Sequence, residues 1–248
     1  MRIPAPDIRN ARRILAIQPH YDDNDIGAGG TLAALAAEGA EVHYLTVTDD
    51  LVGVIDTKLT VEAATLQLRG EQERAGAEIG VKSQSWLGFP DAGSYDHHSL
   101  RREIIRHIRM LRPDFLFSVD PWLPYESHGD HLKTGRAVTE AALLYRFPRL
   151  ATDPEIDRDY ETHTLAGIAL YFTGKPNQVL DISGFREKKH RALDAYRAQF
   201  TTESLEQLHR GLDFMERSWA EQESFSHGEA LKVLSPSQLH CGLLPLDD

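Results

Sequence analysis

Apolar runs and amphipathic stretches alternate along the chain, and the alternation predicts strands and helices in turn. Residues 13–18, RILAIQ, read as a buried strand. Residues 29–38 read as a helix closed by Gly39. Residues 41–47 make a second strand, and Val61 to Ile79 a long amphipathic helix ended by Gly80. QSWLGF near residue 86 is a short strand. Residues 98–111 form another amphipathic helix, with Pro113 behind it to help stop it. DFLFSVD, residues 114–120, is a fourth strand, and His131 to Tyr145 a helix. After residue 150 the pattern changes. LAGIALYFT and NQVLDIS are strand-like, residues 184–225 are mostly helical, and the tail SPSQLHCGLLPL is irregular and apolar.

This succession predicts an α/β, Rossmann-like fold: a mostly parallel sheet, helices on both faces, and an elaborated C-terminal third from about residue 150. No repeat, low-complexity tract or linker interrupts it, so residues 1–248 read as a single domain. In such sheets ligands bind beyond the carboxyl ends of the strands. Two polar segments occupy such ends: PHYDDND after RILAIQ, and PYESHGDH after DFLFSVD.

Composition narrows the possibilities. A formal net charge of -11, from 27 basic and 38 acidic residues, argues against non-specific binding to nucleic acid or anionic membranes. No apolar run reaches the ~20 residues of a membrane-spanning helix, and no signal peptide is visible, which makes the cytoplasm the expected compartment. The one cysteine, Cys241, cannot build an internal disulfide and reads as packing in the tail.

The first polar segment puts His20, Asp22 and Asp23 together, and carboxylates clustered beside a histidine are costly to hold without a cation. The second offers His128 and His131, whose spacing at a helix start lets both rings face one side. Asp130 between them suits a helix N-cap, or a carboxylate that orients an imidazole. Together the segments can give zinc two histidines and one aspartate with an open position, leaving a carboxylate and a histidine for acid–base work. Two histidines and a carboxylate also suit another divalent metal such as iron(II). His97, His98, His107, His163, His190 and His209 have no comparable company and read as surface residues.

HYDDNDIGAGG followed by HGDH resembles the motif pair of the PIG-L (LmbE-like) family of zinc-dependent N-deacetylases. RGEQERAGAEIGV is similar to that family's arginine–glutamate helix, and VLDISGFREKKHRALDAYRAQF to its C-terminal segment. The wording VDPWLPYESHGDH, ALYFTGKPNQVLDIS and QLHCG looks closest to the diacetylchitobiose deacetylase branch. The resemblance implies zinc bound by His20, Asp23 and His131, with Asp22 as general base. It implies that His128 stabilises the oxyanion or protonates the leaving amine, that Asp130 supports a histidine, and that Arg69 lies near the sugar. The substrate it implies is a small acetylated amino sugar. Tyr21 and Gly129 replace the family's usual prolines, Asn24 and Asp25 stand where a glutamate or glycine is more usual, and Tyr196 stands where histidine is common.

Other readings compete. Gly27, Gly29 and Gly30 follow a strand as in dinucleotide-binding proteins, but their G-x-G-G spacing does not meet G-x-G-x-x-G. A non-catalytic sugar- or metal-binding relative is the third reading. For substrate contacts, Trp122 and Tyr125 are the better aromatic candidates because PWLPYES abuts His128; Trp86 and Phe89 also end a strand. His240 reads either as a packed terminal histidine or as a pocket wall across a subunit contact, and the neighbouring LLPL would suit a homo-oligomer interface.

Overall fold

The computed structural model describes residues 4–240. Seven strands, β1 Arg13–Gln18, β2 Glu41–Thr48, β3 Ser83–Phe89, β4 Phe115–Val119, β5 Gly167–Tyr171, β6 Gln178–Asp181 and β7 Gly228–Leu234, form one sheet. Their order is β3-β2-β1-β4-β5-β7-β6. The first five run parallel, and β7 is antiparallel to both β5 and β6. The helices are α1 Asp23–Ala37, α2 Val61–Ile79, α3 His97–Leu111, α4 Gly129–Leu144, α5 Pro154–Arg158, α6 Arg186–Leu193 and α7 Thr202–Ala220. The mostly parallel α/β sheet covered on both faces is the architecture expected from the sequence.

The two-residue period of a strand divides the core into two layers. On β1, Ile14 and Ala16 join Leu32, Leu68, Ile79 and Leu193 under α1, α2 and α6. Leu15 and Ile17 join Leu100, Ile104, Val138 and Ala141 under α3 and α4 on the opposite face. β2 and β4 flank β1, and the strand order reverses there. That reversal opens a crevice at the carboxyl ends of β1 and β4, from which α1 and α4 depart.

Local chemistry explains where elements begin and end. α2 has the predicted bounds because the Thr60 hydroxyl accepts the Ala63 N–H at 3.2 Å and Gly80 closes it at φ 94°. α1 departs from the reading: it begins at Asp23, six residues before Gly29. Tertiary bonds hold this acidic first turn. Gln18 Oε1 accepts the Asn24 N–H at 2.8 Å, the Tyr171 hydroxyl donates to Asn24, and the hydroxyls of Tyr44 and Tyr196 donate to Asp25. α4 begins at Gly129 with His128, not Asp130, as its N-cap. β7 and α5 were not foreseen, and His107, expected at the surface, is buried on α3 with Nδ1 bonded to the Glu103 carbonyl at 2.8 Å.

The glycines of α1 serve close packing. A Cβ at Gly27 would lie 2.2 Å from the Tyr171 ring, and one at Gly30 2.8 Å from Ile182. The N–H groups of Gly30 and Thr31 donate to the buried Glu229 carboxylate of β7, at 3.0 and 2.7 Å. Among the described residues, no helix is long and apolar enough to cross a membrane.

Candidate metal centre and catalytic cleft

The two polar segments meet at the crevice. His20 leaves β1, Asp22 is the N-cap of α1, and Asp23 is the first residue of that helix. His128 caps α4 and His131 lies in its first turn. The Asp23 carboxylate bridges two rings: Oδ2 lies 3.2 Å from His20 Nδ1, and Oδ1 lies 3.3 Å from His131 Nε2. A tetrahedral ion with bonds of about 2.0–2.1 Å separates its ligand atoms by about 3.3 Å. Each of the two contacts is close to that separation, though they use different carboxylate oxygens, and histidine and carboxylate donors suit a divalent cation. Two sets of ligand atoms lie within 4.8 Å of one another, His20, His128 and His131 in one and His20, Asp91, His128 and Asp130 in the other; both include His128, which the sequence reading kept for acid–base work, and neither includes Asp23.

Further carboxylates face the far nitrogens of these rings, His20 Nε2 and His131 Nδ1, which are buried without a hydrogen bond. His131 Nδ1 lies 3.2 Å from Glu126 Oε2, while Glu126 Oε1 accepts the His128 backbone N–H at 2.7 Å. His20 Nε2 faces Asp91 Oδ1 at 3.5 Å and Asp130 Oδ2 at 3.9 Å. Carboxylates behind the far nitrogen are the usual partners of metal-binding imidazoles, because they fix tautomer and orientation. The strong bonds of Asp130 run elsewhere: it accepts the Ala92 N–H and the Tyr95 hydroxyl, both at 2.8 Å. Its backbone N–H donates to His128 Nδ1 at 3.3 Å. With Nδ1 accepting, a neutral His128 carries its proton on Nε2.

Burial and charge set the protonation states. Burial, helped by the charges of Asp23 and Asp50, pushes Asp22 well above the usual carboxylate range. Burial also opposes ionisation of Asp23, but His131 and His20 outweigh it and hold its carboxyl low. Burial alone would lower His20; Asp23, Asp50 and Asp22 reverse that and raise it to about 10. His128 is lowered by burial and by the two neighbouring rings, which favours its neutral form. Asp50, buried past the end of β2, is pushed up to about 7 by burial.

An open cleft of about 290 Å³ exposes this chemistry, lined by His20, Asp22, Asp50, Asp91, His128 and Gln199 among others. The match to known proteins agrees with the geometry. Residues 15–142 match the family model PIG-L, GlcNAc-PI de-N-acetylase. A diacetylchitobiose deacetylase of Thermococcus kodakarensis is 34% identical over 77% of this chain and 71% of its own length. The chain belongs to the PIG-L family. A 1D-myo-inositol 2-acetamido-2-deoxy-alpha-D-glucopyranoside deacetylase of Rhodococcus opacus is 28% identical over 77% of this chain and 82% of its own. Among solved structures, N,N'-diacetylchitobiose deacetylase from Pyrococcus horikoshii, in complex with an inhibitor, superposes with a TM-score of 0.86 at 32% identity. It covers 96% of this chain and 88% of that one.

Within this PIG-L chain the expected substrate contacts are more scattered than the expected ligands. Arg69 stands over Trp86 at 5.1 Å and interacts with the Tyr21 phenol. Trp122 is half exposed beneath Arg136, and Tyr125 is fully exposed at φ 68°. His240 is exposed after a 3₁₀ turn, Pro236–Leu239. None of the four lines the 290 Å³ cleft. Cys241 and LLPL lie outside the described residues. Asp50, Asp91, Glu126 and Gln199 were not singled out from the sequence. Asp50 and Asp91 follow β2 and β3, so the rule that found the other two segments applied to them too.

Proposed function

We propose that this chain is a zinc-dependent N-deacetylase that removes the acetyl group from an N-acetylglucosamine-type sugar, diacetylchitobiose or N-acetylglucosamine. Acetate and a free sugar amine are the products. The observation that carries this reading is the Asp23 carboxylate bridging His20 and His131, with Asp22 buried beside it. Family membership and the likeness to diacetylchitobiose deacetylases support the substrate class.

His20, Asp23 and His131 would hold the ion. A divalent cation there supplies Lewis acidity, polarising the acetyl carbonyl and making water nucleophilic near neutral pH. Asp22 makes no side-chain capping bond, so its oxygens remain available to take the proton of the attacking water. His128 donates from Nε2 toward the carbonyl oxygen as negative charge develops there, a contribution of about 3–4 kcal/mol for donors of this kind. The leaving nitrogen then takes a proton from Asp22 or His128.

The reading includes a cytoplasmic, single-domain enzyme with a small acetylated amino sugar as its partner, assembling as a homo-oligomer, and binding neither nucleic acid nor membrane. The acidic net charge of -11 supports the exclusion of polyanions. The test is direct. Protein reloaded with zinc is expected to release amine and acetate in equal amounts from N-acetylglucosamine or diacetylchitobiose. Absence of both products across a panel of acetylated amino sugars, with zinc bound, would overturn it.

A further inference from the structure

Tyr21 separates His20 from Asp22, so its peptide groups set where both side chains start. Donors crowd its carbonyl: Gln18 Nε2 at 3.1 Å, Gln72 Nε2 at 3.0 Å, and the Tyr196 hydroxyl at 2.9 Å, shared with Asp25. Its N–H donates to Asp50 Oδ2 at 3.0 Å. Asp50 comes from a different strand end and is 2% exposed. It also sits at φ 56°, a left-handed conformation that is uncommon for a residue with a side chain. Buried, left-handed non-glycine residues persist where their surroundings hold them, and they cluster at functional sites. A carboxylate accepting a backbone N–H is among the stronger hydrogen bonds. Proline at position 21 could not donate it.

We propose that Asp50 is a positioning residue: through the Tyr21 N–H it fixes the peptide that spaces the metal-binding His20 from the base Asp22. The proposal rests on the ligand and base assignment above. It adds a third strand end to the machinery, because β2 now controls the geometry of the loop after β1. Loss of the Asp50 acceptor frees the N-terminal side of the Tyr21 peptide while its carbonyl stays held. The His20 backbone is then held to Asp23 by its own N–H alone, which donates to Asp23 Oδ2 at 2.9 Å, and metal affinity and turnover fall together.

The full chain is tested as wild type, Asp50→Gly and Asp50→Asn. Glycine removes the acceptor and relieves the left-handed backbone. Asparagine tolerates that backbone and keeps an acceptor oxygen without the charge. Three quantities are measured: the Zn2+ dissociation constant by chelator competition, kcat and KM for amine release from N-acetylglucosamine, and the metal-free melting midpoint. Asp50→Gly is expected to weaken Zn2+ binding by about 10–100-fold, as loss of a ligand-orienting group does. Its kcat should fall in parallel, with KM and the metal-free midpoint little changed. Asp50→Asn should recover most of both losses.

Wild-type Zn2+ affinity and kcat in Asp50→Gly would overturn the proposal. So would equal damage in Asp50→Asn, which would make the charge and not the hydrogen bond decisive. A change confined to KM would make Asp50 a substrate contact instead. If Asp50→Gly does not fold, Asp50→Asn decides alone, since weak Zn2+ binding in that variant contradicts the proposal. Zn2+ affinity is read without substrate, so a wild type inactive on acetylated sugars would sink the functional reading and leave this test standing.

Discussion

Helix α1 touches two buried clusters of charge, and they are built on opposite plans. At its N-terminus, Asp22, Asp23, Asp50, Asp91 and Asp130 surround His20; His20 and His131 offset Asp23, and Lys133 Nζ lies 3.3 Å from Asp130. Near its middle, Glu229 and Glu216 meet the buried Lys189, whose Nζ lies 2.7 Å from one and 3.0 Å from the other. The second cluster carries its own cation. It is also tied to backbone, because Glu229 accepts the N–H groups of Gly30 and Thr31. The first cluster balances its acids with titratable histidines, which can give up their protons to a divalent cation, whereas the second balances them with a permanent lysine. Cost separates the two: isolated buried carboxylates are expensive, and a protein retains them only where something else compensates.

The sharpest way to break the comparison is to remove the metal. Exhaustive chelation should abolish amine release and lower the melting midpoint, and zinc should restore both. The Lys189 cluster predicts that the stripped protein keeps its fold, which circular dichroism would check. Next in size, Asp22→Asn should lower kcat by about 10²–10⁴-fold, the range for a positioned acid–base group, with zinc content unchanged. Near-full turnover in that variant would mean that the base is another residue. Lys189→Met inverts the pattern. It leaves Glu229 buried without a cation, while Glu216 keeps Arg186 at 3.2 Å, and should cost about 3–5 kcal/mol in urea unfolding, while Zn2+ affinity changes little in the folded protein. Smaller again is Glu126→Gln, which weakens the group behind His131 and should reduce Zn2+ affinity by about 10–100-fold in a competition assay.

The smallest effect is one of pH. Burial opposes ionisation of Glu216, but His190 and Lys189 outweigh it and hold its folded pKa below the usual value. A depressed carboxylate pKa contributes stability that is present above the unfolded value of about 4.3 and is lost as pH falls through the folded one. Urea midpoints should therefore decline below about pH 4.5. Glu216→Gln should flatten that decline.

The same contrast shows what the sequence could disclose. α2 was legible end to end, because Thr60 and Gly80 are local signals. His20, Asp22, Asp23, His128 and His131 were legible because they cluster in sequence after two strands. The early start of α1 was not, since DNDIGAGG reads as a turn until Gln18, Tyr44, Tyr171 and Tyr196 fold against it. β7 escaped because GEALKVL mixes glutamate and lysine with apolar residues, and its antiparallel place between β5 and β6 is decided by distant partners. Asp50 follows Asp49 and Asp91 stands alone, each in a loop with no histidine beside it, where a carboxylate looks like any solvated turn residue.

The tie between Glu229 and the middle of α1 spans almost the whole chain, with sequence separations of 199 and 198 residues. It has a consequence for the order of assembly. Every proposed metal ligand has been synthesised by residue 131, yet the carboxylate that accepts the Gly30 and Thr31 amides arrives nearly a hundred residues later. Contacts this distant form late, after the local ones. A growing chain thus presents its histidines and aspartates to passing metals well before α1 has its final anchor. Completion of the penultimate stretch of sequence, rather than of the motif itself, is what turns a loose cluster of ligands into a fixed one.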